Sequence, residues 1–168
     1  GGLTLTGALA VDGGTVKLDG NYPTGTDNVA LGDTALDSVE AGGTNNVDIG
    51  DNAGTAITTG DNNTAVGKDA LKATTTSANN TAIGSCALDA NTTGSSNTAV
   101  GRNSLGSNID GVYNSAVGHN SLATNSTGDN NTGIGYNALV SNTTADNNTG
   151  VGWGALFANT TGTGNVAV

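Results

Sequence analysis

The sequence predicts an all-β protein, a parallel β-solenoid (β-roll) wound from 17-residue coils. Asparagine recurs every 17 residues after one first interval of 18, and a glycine follows each of these asparagines, except the last, four positions later. An aliphatic residue lies between them, three positions after each asparagine. Fixed columns at such a period are typical of stacked units in which each coil covers the next. The repeated asparagines are Asn28, Asn46, Asn63, Asn80, Asn97, Asn114, Asn131, Asn148 and Asn165.

The three residues after each repeated asparagine form the predicted strand. The third is aliphatic in every coil and β-branched in all but the first, which suits a pleated strand. It shares one strand face with the Thr, Ser or Val two positions earlier. The residue between them is nearly always Ala or Gly, so the other face is small and another surface is expected to approach it closely. The aliphatic column contains Leu31, Ile49, Val66, Ile83, Val100, Val117, Ile134, Val151 and Val168.

The remainder of each coil is a variable position, a leucine segment and a polar turn. The residue after each repeated glycine differs from coil to coil, which predicts exposure to solvent. A small residue and a leucine then return, as in Ala87-Leu88, and we predict a second short strand whose leucine fills the interior together with the β-branched column. Asn91-Thr92-Thr93-Gly94 represents the predicted turn. The second coil departs from two columns at Asp48 and Gly54.

The period divides the chain into two parts. Residues 28–168 form the predicted repeat domain, about eight coils and the start of a ninth. At about 4.8 Å per coil, nine coil starts span roughly 40 Å. Residues 1–27 lack the period and form a predicted short β entry segment. Because the sequence ends inside a repeat, we expect it to be a piece of a longer polypeptide.

Composition argues against several classes of function. The formal net charge is −10 with only four basic residues, so neither nucleic acid nor an anionic membrane surface is an expected partner. No apolar run approaches the length of a membrane span, so membrane insertion is not expected. One cysteine and one histidine are too few for a disulfide framework or a Cys/His metal site. The acidic residues of the first half predict a solvated surface rather than a divalent-cation site, and no cofactor is expected.

Catalysis is not expected either. Cys86 and His119 lie two coils apart, roughly 10 Å along the stack, whereas a nucleophilic pair needs contact at about 3 Å. Asp33, Asp51 and Asp69 lie at or beside the variable position, where stacked carboxylates about 5 Å apart would suit a retaining glycosidase. Every solenoid offers that spacing, so it does not indicate an enzyme.

Exposed aromatic residues and the oligomeric state each leave two interpretations open. The variable column and its surroundings supply His119, Tyr136, Trp153 and Phe157, which either recognise a partner or pack against a neighbouring domain. Each coil offers only a thin apolar core against the loss of backbone entropy. We therefore predict a parallel homotrimer whose chains meet at the small Ala/Gly face. The alternative is a monomer in which that face packs internally.

Two sequence stretches resemble known repeats. Asn80-Thr81-Ala82-Ile83-Gly84 resembles the repeat of trimeric autotransporter adhesin heads, which build a YadA-like β-roll, and Asn131–Leu139 resembles repeats of bacteriophage tail fibres. The resemblance implies a homotrimeric fibre on a virion surface or, alternatively, a bacterial cell surface. It implies attachment to a host cell-surface glycan or protein and contacts with other virion proteins.

The expected function is therefore that of a structural fibre segment of a phage virion, in a tail or capsid fibre. A bacterial adhesin head is the alternative. Ice binding is a third hypothesis, because Thr92-Thr93 and Thr160-Thr161 stack in a ladder, although Ile109-Asp110 interrupts it. The structural ladder is assigned to the two repeated columns: Asn63, Asn80, Asn97, Asn114, Asn131, Asn148, Val66, Ile83, Val100, Val117, Ile134 and Val151.

Overall fold

The computed structural model describes residues 27–40 and 42–168, and it confirms the parallel β-solenoid. Nine short strands form one parallel sheet in chain order, and the described residues contain no helix. Apart from Asp27, the predicted entry segment lies outside the described residues. The strands are β1 (Val29–Leu31), β2 (Val47–Ile49), β3 (Thr64–Val66), β4 (Thr81–Ile83), β5 (Thr98–Val100), β6 (Ser115–Val117), β7 (Thr132–Ile134), β8 (Thr149–Val151) and β9 (Val166–Ala167).

The register places each repeated column in a single row along the stack. Val66 pairs with Ile83, Ile83 with Val100, and the same step continues to Val151. Only the first step differs, since Val29 pairs with Val47 across the one longer interval. Equivalent side chains therefore lie over one another, as the period predicts.

The two faces of the sheet are the reverse of what we predicted. The Ala column points inward: Ala82 is fully buried, whereas the neighbouring Ile83 is 41% exposed. The interior is too narrow for a β-branched side chain here. At Gly133, even an added Cβ would lie 2.5 Å from Oγ of Ser121. The prediction that the β-branched column fills the core was therefore wrong, and the Ala/Gly face packs internally.

The leucine segment is a turn rather than the predicted second strand. Its leucines do fill the interior, since Leu71, Leu88 and Leu105 are fully buried. They have left-handed backbones, with φ of 50° at Leu71 and 51° at Leu88. That conformation costs about 1–2 kcal/mol for a residue with a side chain, and burying a leucine offsets it with about 1.5–3 kcal/mol. Each coil thus contains a turn with a strained backbone, and burial of the leucine side chain stabilises that turn.

The repeated asparagines link each coil to its neighbours through buried hydrogen bonds. Oδ1 of Asn80 accepts a hydrogen bond from the backbone N–H of Asn97 at 3.0 Å. Nδ2 of Asn97 donates to the carbonyl of Gly111 at 2.8 Å, in the turn that completes its own coil. Both side chains are at most 1% exposed. One amide thus satisfies a backbone donor of the next coil and a backbone acceptor of its own coil, which is what a buried polar group requires.

A second asparagine ladder lies in the polar turn, for which we predicted a turn but no ladder. Nδ2 of Asn108 donates to Oδ1 of Asn91 at 2.9 Å, and Asn125 repeats the contact to Asn108 at 3.0 Å. Each also donates to the carbonyl three residues ahead, as Asn108 does to Gly111 at 3.0 Å. The carbonyl of Gly111 therefore receives hydrogen bonds from both ladders.

The repeated glycines allow the coils to approach closely. Gly101 has φ of 138°, and a Cβ there would lie 2.5 Å from the carbonyl oxygen of Gly118 in the next coil. Both the backbone conformation and the space exclude a side chain.

We expect Gly101→Ala to lower the free energy of unfolding by about 2–3 kcal/mol, because the methyl group meets backbone that cannot move without separating the coils. Gly106→Ala is the matched control, since Gly106 lacks a left-handed φ and its Cβ would first meet the side-chain oxygen of Asn103. Urea denaturation followed by circular dichroism measures both. Equal losses in the two variants would contradict close coil approach as the cause.

Candidate functional site

The variable residue after each repeated glycine forms an exterior row, here called the corner column. The backbone holds these residues one coil apart, since Gly118 N–H donates to the Val100 carbonyl and Gly135 N–H to the Val117 carbonyl, both at 2.7 Å. All of them are exposed or half-buried, which confirms that the column faces outward. The corner column consists of Asp33, Asp51, Lys68, Ser85, Arg102, His119, Tyr136 and Trp153.

The second half of the corner column is a continuous stack of side chains. The rings of His119 and Tyr136 are stacked with centroids 5.4 Å apart, and those of Tyr136 and Trp153 with centroids 6.3 Å apart. The interplanar angle is 7° in both pairs. Arg102 extends the stack, with its Nη1 3.2 Å from Nε2 of His119. Since the guanidinium can only donate, a hydrogen bond in this contact runs from Arg102 to His119.

The stack determines which parts of the rings a partner can reach. A neighbouring ring flanks each face of Tyr136, and the residue is 47% exposed. Its accessible part is therefore the ring edge with the hydroxyl group. Trp153 is 80% exposed, with one face against Tyr136. The corner column thus offers ring edges and hydrogen-bonding groups rather than a row of open faces for sugars to stack on.

Phe157 does not belong to this stack. It is 50% exposed and lies in a different column, directly after the leucine position, where the preceding coils have Val140 and Ala123. The structure therefore brings together three of the four predicted recognition residues and leaves Phe157 in a separate column.

The first half of the corner column carries ion pairs. Lys68 contacts the carboxylate of Asp51, and its Nζ lies 4.0 Å from Oδ2 of Asp69. The hydrogen bond and charge of Asp51 raise the pKa of Lys68. Lys72 lies 3.8 Å from Asp69. Two of the three carboxylates considered for glycan cleavage are therefore bound to lysines, and these exposed pairs contribute little to stability.

The corner column and the column that ends in Phe157 both change from charged to apolar along the solenoid, although Gly106 and Ala123 of the second column are buried. The column that ends in Phe157 has Asp37, Lys72 and Asp89 in its early coils and Val140 near its end. The corner column changes in the same direction, from aspartate to tryptophan. The last coils therefore present two apolar rows where the first coils present solvated charges.

Sequence reasoning missed Arg102 as a member of the candidate surface. The signal was present, because Arg102 occupies the same column as His119, one coil earlier. The period alone does not show the direction of a side chain, so the contact between Arg102 and His119 could not be derived from it.

The described residues show no other candidate site. They enclose no pocket and hold no cluster of three or more His, Cys, Asp or Glu residues able to bind a metal ion. Within residues 27–40 and 42–168, no helix has the length and apolar character needed to cross a bilayer. The exterior columns are therefore the candidate recognition surface of this part of the chain.

We expect Tyr136→Ala to lower the free energy of unfolding by about 1 kcal/mol, because it removes two stacking contacts. It should also lower the fluorescence anisotropy of Trp153, the only tryptophan in the chain. Tyr113→Ala is the control, since Tyr113 is 64% exposed and lies outside the stack. A Trp153 anisotropy that Tyr136→Ala leaves unchanged would contradict a rigid stack.

Comparison with known proteins identifies no relative: no family profile, curated protein or solved structure matches the chain.

Proposed function

We propose that this chain is a structural segment of a bacteriophage fibre, displayed on the virion and used in attachment to the host surface. The observation that carries the proposal is a difference between the interior and exterior columns of the coils. Most interior positions keep their residue type along the stack, whereas the corner column changes from coil to coil. A scaffold of this kind holds surface side chains at fixed positions along an extended axis, which is what a fibre that contacts a cell requires.

The phage assignment rests on the sequence resemblance of Asn131–Leu139 to tail-fibre repeats. A bacterial adhesin head would use the same scaffold, so the location of the protein distinguishes the two. In the proposed assignment, other virion proteins bind the fibre along its length or at its ends. The stack of His119, Tyr136 and Trp153 contacts a host cell-surface glycan or protein through its ring edges.

The proposal includes a parallel homotrimer, with the contact moved to the outward face of the sheet. The predicted Ala/Gly contact face is inside the coil, so it cannot reach another chain. The outward face carries the aliphatic column, in which Ile83, Val117 and Ile134 are 40–41% exposed. A continuous row of exposed and half-buried aliphatic residues is typical of an interaction surface, and three copies around a common axis would bury it.

We expect the wild-type chain to elute as a particle of about three times its 16.1 kDa mass. The double variant Val117→Lys, Ile134→Lys should elute as a monomer, because it places charges in adjacent coils of the aliphatic column. Size-exclusion chromatography with light scattering measures the mass, and circular dichroism checks that the variant remains folded.

The matched control is the double variant Thr127→Lys, Thr144→Lys, which adds the same charge to exposed turn positions of adjacent coils. It should remain a trimer. A monomeric wild-type chain at 100 µM would exclude the trimer, and dissociation by the control alone would place the contact on the turn.

We expect antibodies raised against the folded chain to label fibres on virions from the source of the sequence and to reduce adsorption of those virions to their host. Immunogold electron microscopy and an adsorption assay measure the two effects. Labelling confined to the surface of uninfected bacteria would reject the phage assignment in favour of the adhesin head. Labelling of virions without any effect on adsorption would reject the attachment role and leave a spacer.

A further inference from the structure

The second coil exchanges residues in three interior columns. Asp48 stands in the column of inward alanines, Gly54 in the column of buried leucines, and Ile57 in the column of the second asparagine ladder. The corresponding residues of the third coil are Ala65, Leu71 and Thr74. The changes at Asp48 and Gly54 are confined to the second coil, whereas the position of Ile57 is also apolar in the first coil, where it holds Val39.

The carboxyl group of Asp48 occupies the space that a leucine fills in other coils. A Cβ added to Gly54 would lie 2.0 Å from Oδ1 of Asp48 and 3.0 Å from Cδ1 of Ile57. Asp48 is 0% exposed, and neither of its oxygens has a hydrogen-bond partner among the described residues. The carboxyl group therefore lies in an apolar interior without room for a bound ion.

No charge faces this carboxyl group from the elements packed against it. Its neighbours in the adjacent strands are Ala30 on β1 and Ala65 on β3. Among the described residues, Asp48 is the one charged side chain that is buried. Asp51 and Lys68 follow β2 and β3 but lie on the exterior as an ion pair. Nothing therefore stabilises a negative charge inside the second coil.

We propose that the second coil is a pH-sensitive joint of the solenoid, held closed while the carboxyl group of Asp48 is neutral and opened by its ionisation. The other coils have an alanine or a glycine at this position and lack the switch. The proposal is independent of the proposed function, because it concerns the opening of one coil.

The direction of the pH dependence follows from burial. Desolvation raises the pKa of Asp48 from 3.8 to about 8. When the coil opens, the carboxylate reaches water and regains its ordinary pKa, so the closed coil binds the extra proton. The closed state is then most stable below about pH 4. It becomes less stable as the pH rises to about 8 and does not change further above that value, where both states are ionised.

Hydrogen–deuterium exchange of the full chain between pH 5 and pH 9 tests the joint. Protection factors correct for the chemical effect of pH on exchange. We expect the opening constant of peptides covering residues 46–60 to rise about tenfold per pH unit up to about pH 8 and then level off. Peptides covering residues 97–111 in the same sample should change less than threefold.

Two variants separate ionisation from packing. Asp48→Asn keeps the shape and cannot ionise, so the pH dependence of residues 46–60 should disappear. The triple variant Asp48→Ala, Gly54→Leu, Ile57→Thr copies the third coil and should behave like residues 97–111. The same pH dependence in Asp48→Asn as in the wild type would overturn the proposal. So would a carbon-13 NMR titration of the folded wild type that places the pKa of Asp48 near 4.

Discussion

The structure depends on one constraint: a coil is stable only when the next coil repeats its backbone path, because the buried asparagine amides join the two. Asn97 shows the requirement, since its N–H donates to Asn80 while its own amide donates to Gly111. A coil that displaced one of these asparagines would leave a donor and an acceptor buried without partners, at about 1–3 kcal/mol each. The first interval of 18 keeps the same bonds, because Asn46 N–H donates to Oδ1 of Asn28 and Nδ2 of Asn28 donates to the carbonyl of Gly43, both at 2.8 Å. The ladder therefore fixes the coil at the asparagine and at its turn, and the extra residue of the first coil lies between those two points.

The period predicted the strands, their parallel register and the stacked columns, because an inter-coil hydrogen bond needs the same residue at the same phase. It could not tell which strand face points inward. Alternation shows only that Val100 and Thr98 lie on one side and Ala99 on the other. Which face points inward depends on the width of the interior, and the buried Leu105 in the opposite turn sets that width. That turn requires a left-handed backbone at the leucine, which the residue type does not predict. The general rule that large apolar residues are buried favoured the wrong face.

The candidate surface could likewise be predicted in position but not in side-chain direction. Column variety correctly indicated that His119, Tyr136 and Trp153 are outside, and the common column placed them one coil apart. The stack follows from that spacing, because side chains at equivalent positions of parallel strands lie over one another. Phe157 was grouped with them on composition, although a separate column carries it. The flanking of both faces of Tyr136 follows only from side-chain direction, and it favours contact through the ring edge.

The interior limits substitution more severely than the exterior, and this difference is what makes the solenoid suitable for display. Where Ser121 occupies a usual alanine position, the strand residue that meets it is Gly133, and the hydroxyl donates to the carbonyl of Gly133 at 2.8 Å. Asp48 and Gly54 form the same kind of compensating pair in the second coil. In these two pairs the changes conserve volume, which a close-packed interior favours. Corner residues meet no such limit, so Arg102 can be followed by histidine, tyrosine and tryptophan without altering the coil beneath them. A surface that varies freely on a repeated backbone can acquire a new partner without refolding the solenoid.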